Sequence, residues 1–371
     1  MNAKPIRVAF LLQDFTTGGI SQWIYSICAE LHRTDPGRFA FHFIATHGPV
    51  IREQFQKIGT AVFLGRLGKA PNWLGWRRVR KYVRDLSPDI VQFSNLVQYR
   101  DICFAVRPPV IIERKASTRT LDRYDSRGVD AIICQNRVVL DALKGQFDNI
   151  SLVYHGVDIE ALRRVVPNRL GFGSDAFVVG QASRIGCGQG HATLIDAVIR
   201  LRRRYPQVKM VLIGGTTPQP GAVDILPELR ERARPLGDHA RFTGHQDDPY
   251  PYIAGFDVAT CTSTVALAEG APRRLVEPMA MGIPCVTTDS GSTTEIVDDG
   301  ETGLVVPGED AEAMAAAIER LLTDRSLYEK LAANGRRKAE ECFDVRTQAR
   351  KVRDVYLGLL AKKTASAAAP A

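Results

Sequence analysis

Short apolar runs alternate with longer stretches of mixed character along the whole chain. Residues 6–12, 39–45, 61–64, 90–93, 110–112, 131–134 and 151–154 read as strands, and the first leads through Thr16-Thr17-Gly18-Gly19 into a helix over about 21–31. Near-continuous apolar strands separated by helical stretches point to parallel βαβ units in a doubly wound sheet, because such strands are buried on both faces. The pattern then restarts. Residues 176–183, 209–213, 241–243, 258–261, 285–288 and 303–306 form a second strand set, with helices expected over 191–205, 311–322 and 327–342. The fold class is therefore α/β, two tandem doubly wound, Rossmann-like domains facing a cleft, with ligands expected at the carboxyl ends of the strands.

Residues 156–174 are strand-poor and contain Pro167, Gly171 and Gly173, which marks a linker. The expected domains are 1–158, completed by a C-terminal helix at 345–362, and 159–344, with 364–371 as a flexible tail.

Composition narrows the class. The 371 residues are 45% hydrophobic and 24% charged, which excludes disordered, collagen-like and coiled-coil chains. No apolar run reaches the roughly 18 residues of a spanning helix. The N-terminus enters a strand-like segment without the pattern of a signal peptide, so a cytoplasmic location is the expectation. The seven cysteines contain no CxxC pair and are expected as reduced thiols rather than a disulfide framework or zinc site. The net charge of +8 lies in the first half: residues 1–165 hold 24 Lys+Arg against 15 Asp+Glu, and the remainder 25 against 26. That asymmetry suits a lipid surface, a phosphorylated substrate or nucleic acid, and equally a solvated basic surface. No aromatic-interleaved recognition module accompanies it, so nucleic acid is not the expected partner.

The most informative stretch runs from Glu269 to Glu277 and continues as Pro278-Met-Ala-Met-Gly-Ile-Pro. Gly270 and Pro272 punctuate a loop, and a helix is expected from about Arg273. Pro278 lacks a donor N–H and is expected in or near the first turn. Free amides at such a helix start suit a phosphate or a sugar hydroxyl, and two carboxylates can hold a polyol at two places.

This pattern resembles the E-x7-E box of the retaining, nucleotide-sugar-dependent glycosyltransferases of the GT-B fold, family four. Other stretches share the likeness: Gly18-Gly19-Ile20 resembles the family's N-terminal glycine loop, Tyr154-His155-Gly156-Val157-Asp158 its P-N-G-V-D, Ala182-Ser183-Arg184-Ile185 its G-R-L, and residues 287–296 and 299–306 the stretch after the second Glu. The resemblance covers most of the chain. It implies sugar transfer from a nucleoside-diphosphate donor to a glycan, lipid-linked or small-molecule acceptor, with retained anomeric configuration and a role in glycan or polysaccharide biosynthesis. By the same resemblance, Glu277 accepts from the ribose hydroxyls and Glu269 contacts the donor sugar. The backbone over Gly270, Ala271, Pro272, Arg273, Arg274 and Leu275 lies against the sugar or diphosphate. Arg184 pairs with the diphosphate, and with Glu269 is the candidate catalytic group. The Gly18 and Gly19 amides approach the distal phosphate. Gly214, Phe242, Thr243 and Gly244 lie near the nucleotide. No D-x-D pair is present, so no metal and no further cofactor is expected.

The sequence departs from the family in three places. Gln189 stands where a Lys is usual, which removes a cation from the leaving diphosphate, and Arg273 or Arg274 is expected to replace it. Gln92 and Ser94 stand at the usual His positions, and a second His is replaced near Glu113-Arg114-Lys115, so that Asn95, Arg114 and Lys115 could meet an anionic acceptor or simply be solvated. His155 and His191 are expected to be structural or orienting.

Residues 72–84 read as a helix with two tryptophans and a run of basic residues, suited to peripheral contact with an anionic membrane at its inner face. Packing of Trp76, Val79 and Val83 on the sheet is the competing reading. Three functional classes stay open at this level: a glycosyltransferase, a GT-B-fold epimerase or phosphorylase, and a non-catalytic sugar-nucleotide-binding protein.

Overall fold

A computed structural model describes residues 4–14, 19–47, 52–64, 73–94, 97–116, 127–216, 223–264, 270 and 272–368. Gly18, Asn95, Glu269 and Ala271 lie outside the described residues. The chain divides into two compact units, Met1–Gly156 with Val345–Ala371, and Val157–Asp344.

The first unit begins β1 (Ile6–Asp14), α1 (Gly19–Thr34), β2 (Phe39–His47), α2 (Arg52–Gln56), β3 (Thr60–Phe63) and α3 (Trp73–Leu86). It continues β4 (Ile90–Ser94), α4 (Val97–Val106), β5 (Val110–Lys115), β6 (Ala131–Cys134), α5 (Arg137–Leu143) and β7 (Ile150–Leu152). The second unit holds α6 (Ile159–Arg163), β8 (Phe177–Ala182), α7 (His191–Arg202), β9 (Val208–Ile213), α8 (Leu226–Arg232), β10 (Ala240–Phe242) and α9 (Tyr250–Ala254). It closes with β11 (Val258–Cys261), α10 (Arg273–Met281), β12 (Cys285–Thr288), α11 (Thr293–Ile296), β13 (Leu304–Val306), α12 (Ala311–Thr323) and α13 (Arg325–Phe343). The last helix, α14 (Val345–Ala368), belongs to the first unit.

Each unit is a doubly wound parallel sheet. The strand orders are β3-β2-β1-β4-β5-β6-β7 and β10-β9-β8-β11-β12-β13. In each, the order reverses beside the first strand of the unit, where such folds hold ligands.

The pleat sorts the first unit's core into two layers. Phe10 and Leu12 of β1 join Phe41 and Phe43 of β2 beneath Trp23 and Ile27 of α1 and Val352 and Tyr356 of α14. The alternate residues Ala9 and Leu11 face the other way, onto Val79 and Val83 of α3 and Tyr99 and Ile102 of α4. Burial on both faces explains why these strands read as unbroken apolar runs.

Three aspartates, each just ahead of a strand, reach sideways to the adjacent strand. Asp89 accepts the Arg7 N–H at 2.8 Å, Asp130 that of Ile111 at 2.8 Å, and Asp257 that of Val178 at 2.7 Å. Each satisfies a main-chain donor that the ladder leaves open and so helps to fix the register. Helix starts are capped in the same way, by Asn136, Asp158, Asp310 and Asp324.

One expectation is corrected at the C-terminus. Residues 364–368, read as part of a flexible tail, continue α14 as helix. The run Thr364-Ala-Ser-Ala-Ala is poor in core formers but rich in alanine, the strongest helix former.

The α14 helix is integral to the first unit's core. Replacing the fully buried Val352 by Ala is expected to lower the stability of the first unit by about 2 kcal/mol. Urea unfolding will show an earlier transition for that unit, with the second unit's transition unmoved.

Candidate functional site

The motifs of the second unit gather at the carboxyl ends of β8, β11 and β12. The organiser is Gln181, near the end of β8. Its Oε1 accepts from the Thr262 main-chain N–H at 3.2 Å and from the Thr262 hydroxyl at 2.8 Å, and its Nε2 donates to the Gln189 carbonyl at 3.0 Å. The loop from Ser183 to Gly190 is thereby held against the end of β11. Gly190 makes the approach possible: its φ is +67°, and a Cβ there would stand 1.6 Å from the Thr262 carbonyl oxygen. The adjacent Gly214, at φ +141°, bonds through its N–H to the Gly244 carbonyl at 3.0 Å.

The helix α10 starts at Arg273 after Pro272, an N-cap residue whose side chain makes no capping hydrogen bond. The first two residues have different fates. Arg273 turns to its own helix: its Nη2 meets Glu277 Oε1 at 2.5 Å and donates to the Tyr250 hydroxyl at 2.8 Å. Tyr250 also donates to Glu277 Oε1, at 3.3 Å. Burial first, and then the Glu277 carboxylate, push the Tyr250 phenol well up. Burial opposes the charge on Arg273, but Glu277 and Tyr250 outweigh it and raise the guanidinium. Glu277 is itself buried.

Arg274 turns instead toward the loop. Its Nη1 donates to Gln189 Oε1, its Nη2 to the Ser263 hydroxyl, and its Nε to Cys261 Sγ at 3.0 Å. A guanidinium therefore stands beside the glutamine that occupies the expected lysine position. Next to it, His191 Nε2 meets the Ser183 hydroxyl at 3.0 Å. Burial, and secondly the Arg274 charge, pull His191 down to about 4, so the ring is neutral at pH 7.

Hydroxyls after β12 hold the chain on both sides of residues 265–269. Thr288 donates to the Ser263 carbonyl at 2.6 Å, Ser290 to that of Thr264 at 2.7 Å, and Ser292 to that of Gly270 at 2.9 Å.

The sequence-derived residues fall into groups. Gln189 meets Arg274, and Arg273 meets Glu277. Leu275 is fully buried and its N–H is taken by the Pro272 carbonyl at 3.0 Å, so the amides open to a ligand lie ahead of it. Arg184 is exposed and makes no hydrogen bond or ion pair among the described residues. Thr243 donates to the Gly244 carbonyl at 3.0 Å, and Phe242 packs at the edge of the core. Gly19, in the first unit, opens α1, and nothing within 4 Å would meet a Cβ there. Pro278 is not in the first turn as expected but is the sixth residue of α10. The helix tolerates it because it is short and ends at Gly282 in a left-handed C-cap, where the Pro278 carbonyl accepts from Ile283 at 2.9 Å. Sequence reasoning missed Gln181, Tyr250, Ser263 and the hydroxyls after β12. Only the Thr/Ser-rich composition of residues 287–294 hinted at the last.

Residues 176–324 match the family model described as Glycosyl transferases group 1. A lipopolysaccharide core biosynthesis glycosyltransferase, LpsE of Rhizobium meliloti (strain 1021), is 30% identical over 239 residues, 64% of this chain and 66% of the relative. The phosphatidyl-myo-inositol mannosyltransferase of Mycolicibacterium smegmatis is 34% identical over 139 residues, covering 38% of this chain and 34% of the relative. The chain matches 66%, 59% and 52% of the length of three such curated relatives. The crystal structure of Anabaena Alr3699/HepE in complex with UDP and glucose superposes with a TM-score of 0.81 at 21% identity, over 95% of this chain and 100% of that one. That likeness shows the fold, two Rossmann-like domains of the GT-B type.

The neutral His191 generates a pH dependence. Its folded-state value of about 4 lies below the ordinary 6.5. The unfolded chain therefore gains a proton first as pH falls, and stability is lost between pH 6.5 and about 4. Urea unfolding at pH 7 and pH 5 is expected to show that His191→Gln loses about 2 kcal/mol less than the wild type over that interval.

Proposed function

We propose that the chain is a retaining glycosyltransferase that moves a sugar from a nucleoside-diphosphate donor, held by the second unit, to a glycan, lipid-linked or small-molecule acceptor. The observation that carries this reading is the Arg274 guanidinium beside Gln189 at the start of α10. Departure of a nucleoside diphosphate builds negative charge. A fixed guanidinium and open helix amides stabilise that charge without reorganising. Arg274 fills the role that a lysine at position 189 would have. Arg184, without a partner among the described residues, supplies a second fork for the diphosphate. No metal takes part in this reading.

Glu277 accepts from the ribose hydroxyls. The Arg273 and Tyr250 donors on its Oε1 fix the carboxylate's orientation before the nucleotide arrives. Glu269 contacts the donor sugar. The relatives named for lipopolysaccharide core and phosphatidyl-myo-inositol chemistry support a glycan or lipid-linked acceptor, and the UDP complexes of HepE support a uridine nucleotide. A second reading, a sugar-nucleotide-binding protein without transfer, draws on the same occupied Glu277 oxygen and on the missing lysine.

Transfer from a UDP-sugar panel, run in EDTA, separates the two. Arg274→Met is expected to lower kcat by about 10²–10³-fold with little change in nucleotide affinity. Glu277→Ala is expected to weaken UDP binding by about tenfold or more. UDP binding without transfer across a broad acceptor panel would favour the second reading.

The proposal extends to a membrane surface. Val79 and Val83 of α3 are fully buried and Trp76 packs edge-on against Tyr99 at 6.3 Å, so most of the apolar side of the helix is used within the unit, with Leu74 exposed near its start. Arg78, Arg80, Lys81 and Arg84 face outward. Contact with anionic lipid is then electrostatic rather than insertive. Co-sedimentation with anionic vesicles is expected at low salt and lost at high salt. Absence of binding at low salt would remove the membrane contact and leave the transfer reading untouched.

A further inference from the structure

In the first unit, Arg114 near the end of β5 is almost completely enclosed, with 2% of its surface exposed. The strand pleat separates it from its sequence neighbours. Glu113 and Lys115 turn to the opposite face and pair with each other at 3.0 Å. Arg114 therefore carries its charge alone, and no carboxylate among the described residues pairs with it.

Only one of its three guanidinium nitrogens has a hydrogen-bond partner. The guanidinium lies over the Trp23 ring, 5.5 Å from the centroid, and its Nη2 donates to Gln135 Oε1. Its Nε and Nη1 have no hydrogen-bond partner. The parallel register places Ser94 of β4 directly beside it, and Gln92 two residues back on the same face. Tyr356 donates to Gln92 Oε1 at 2.5 Å, which leaves the Gln92 amide nitrogen as the free end. The unmet buried atoms are thus Arg114 Nε and Nη1, Gln92 Nε2, Gln135 Nε2 and the Ser94 hydroxyl. All of these are able to donate, and they belong to Arg114 and its neighbours at the carboxyl ends of the strands. An enclosed charge with unmet donors is costly unless a counter-charge arrives. Burial lowers the Arg114 guanidinium to about 9, so it stays charged at neutral pH.

We infer that Arg114, with Gln92, Ser94 and Gln135, forms a binding site for a compact oxyanion, a phosphate or carboxylate group carried by the acceptor. The site rests on the transferase reading only for the assignment of that anion to an acceptor. Arg114 here is a binding residue. It selects acidic acceptors over neutral ones, because a guanidinium fork matches two oxygens of a phosphate or carboxylate.

The test is calorimetric titration and thermal unfolding of the full chain with inorganic phosphate and with acetate, in the presence of saturating UDP. Wild type is expected to bind phosphate or acetate and to unfold at a higher temperature in its presence. Arg114→Met is expected to lose affinity for that anion by at least about tenfold, with UDP affinity changed by less than about twofold. Without ligand, Arg114→Met is expected to be at least as heat-stable as wild type, since it removes an uncompensated buried charge. If that variant does not fold, Arg114→Lys, which keeps the charge but loses the fork, is expected to bind more weakly than wild type. Competition by glycerol phosphate in solution and by phosphatidic acid in vesicles separates a free oxyanion source from a lipid-borne one. No anion binding by wild type, or equal binding by wild type and the folded variant, would overturn the inference. If UDP and UDP-sugars leave the protein unaffected while phosphate still acts through Arg114, the transferase reading fails and the oxyanion site stands.

Discussion

A guanidinium removed from water must find oxygen or sulfur acceptors, and what those acceptors carry decides what the charge can do next. Three arginines of this protein meet the constraint in three ways. Arg273 takes a carboxylate, Glu277, and its charge is spent on fixing that side chain. Arg274 donates to neutral acceptors, among them the Gln189 amide oxygen, the Ser263 hydroxyl and the Cys261 sulfur. These three bonds fix its geometry. Arg114 takes one neutral acceptor, the Gln135 amide oxygen, and stays both charged and short of partners. Arg273 and Arg274 are neighbours in sequence, yet helical geometry points them to different partners. One residue of offset separates a clamp on Glu277 from an anchor on Gln189.

The glutamines make this arrangement possible. An amide oxygen accepts from a guanidinium without neutralising it, whereas a carboxylate would cancel the field. Gln189 thus does more than fill the space of a lysine: it anchors a cation that enters from the next helix. Gln181 serves the backbone in the same unit, tying the loop to β11 through both ends of its amide. The loop therefore presents Arg274 from a frame held by short side chains and by close backbone contact at Gly190.

The sheets were legible in the sequence because strands buried on both faces leave unbroken apolar runs such as Val8-Ala-Phe-Leu-Leu12 and Ile90-Val91. Short helices such as α9 and α11 are set by tertiary contacts and carry too few residues to show a period. The glutamate box and the missing lysine were legible as well, since they are local in sequence. What brings Tyr250 to Glu277 is not, because the two lie 27 positions apart and meet only once the sheet has formed. Arg114 is the sharpest case. Within Glu113-Arg114-Lys115 it reads like any cation at a strand end, and isolated sequence favours exposure for all three. Only the pleat reveals that all three are enclosed, two of them pairing with each other on one face and the third lying on the other.

The electrostatics of the second unit also follow from what is kept uncharged. His191 lies within the field of Arg274, and burial already disfavours its protonation. A second cation there would compete for the same anion and would titrate near neutral pH. With His191 held neutral well below pH 7, the charge presented around Gln189 is that of an arginine, which does not titrate in the physiological range. The positive character of this loop is therefore constant where the cell's pH varies, and the cost of that constancy falls on stability in acid rather than on the site.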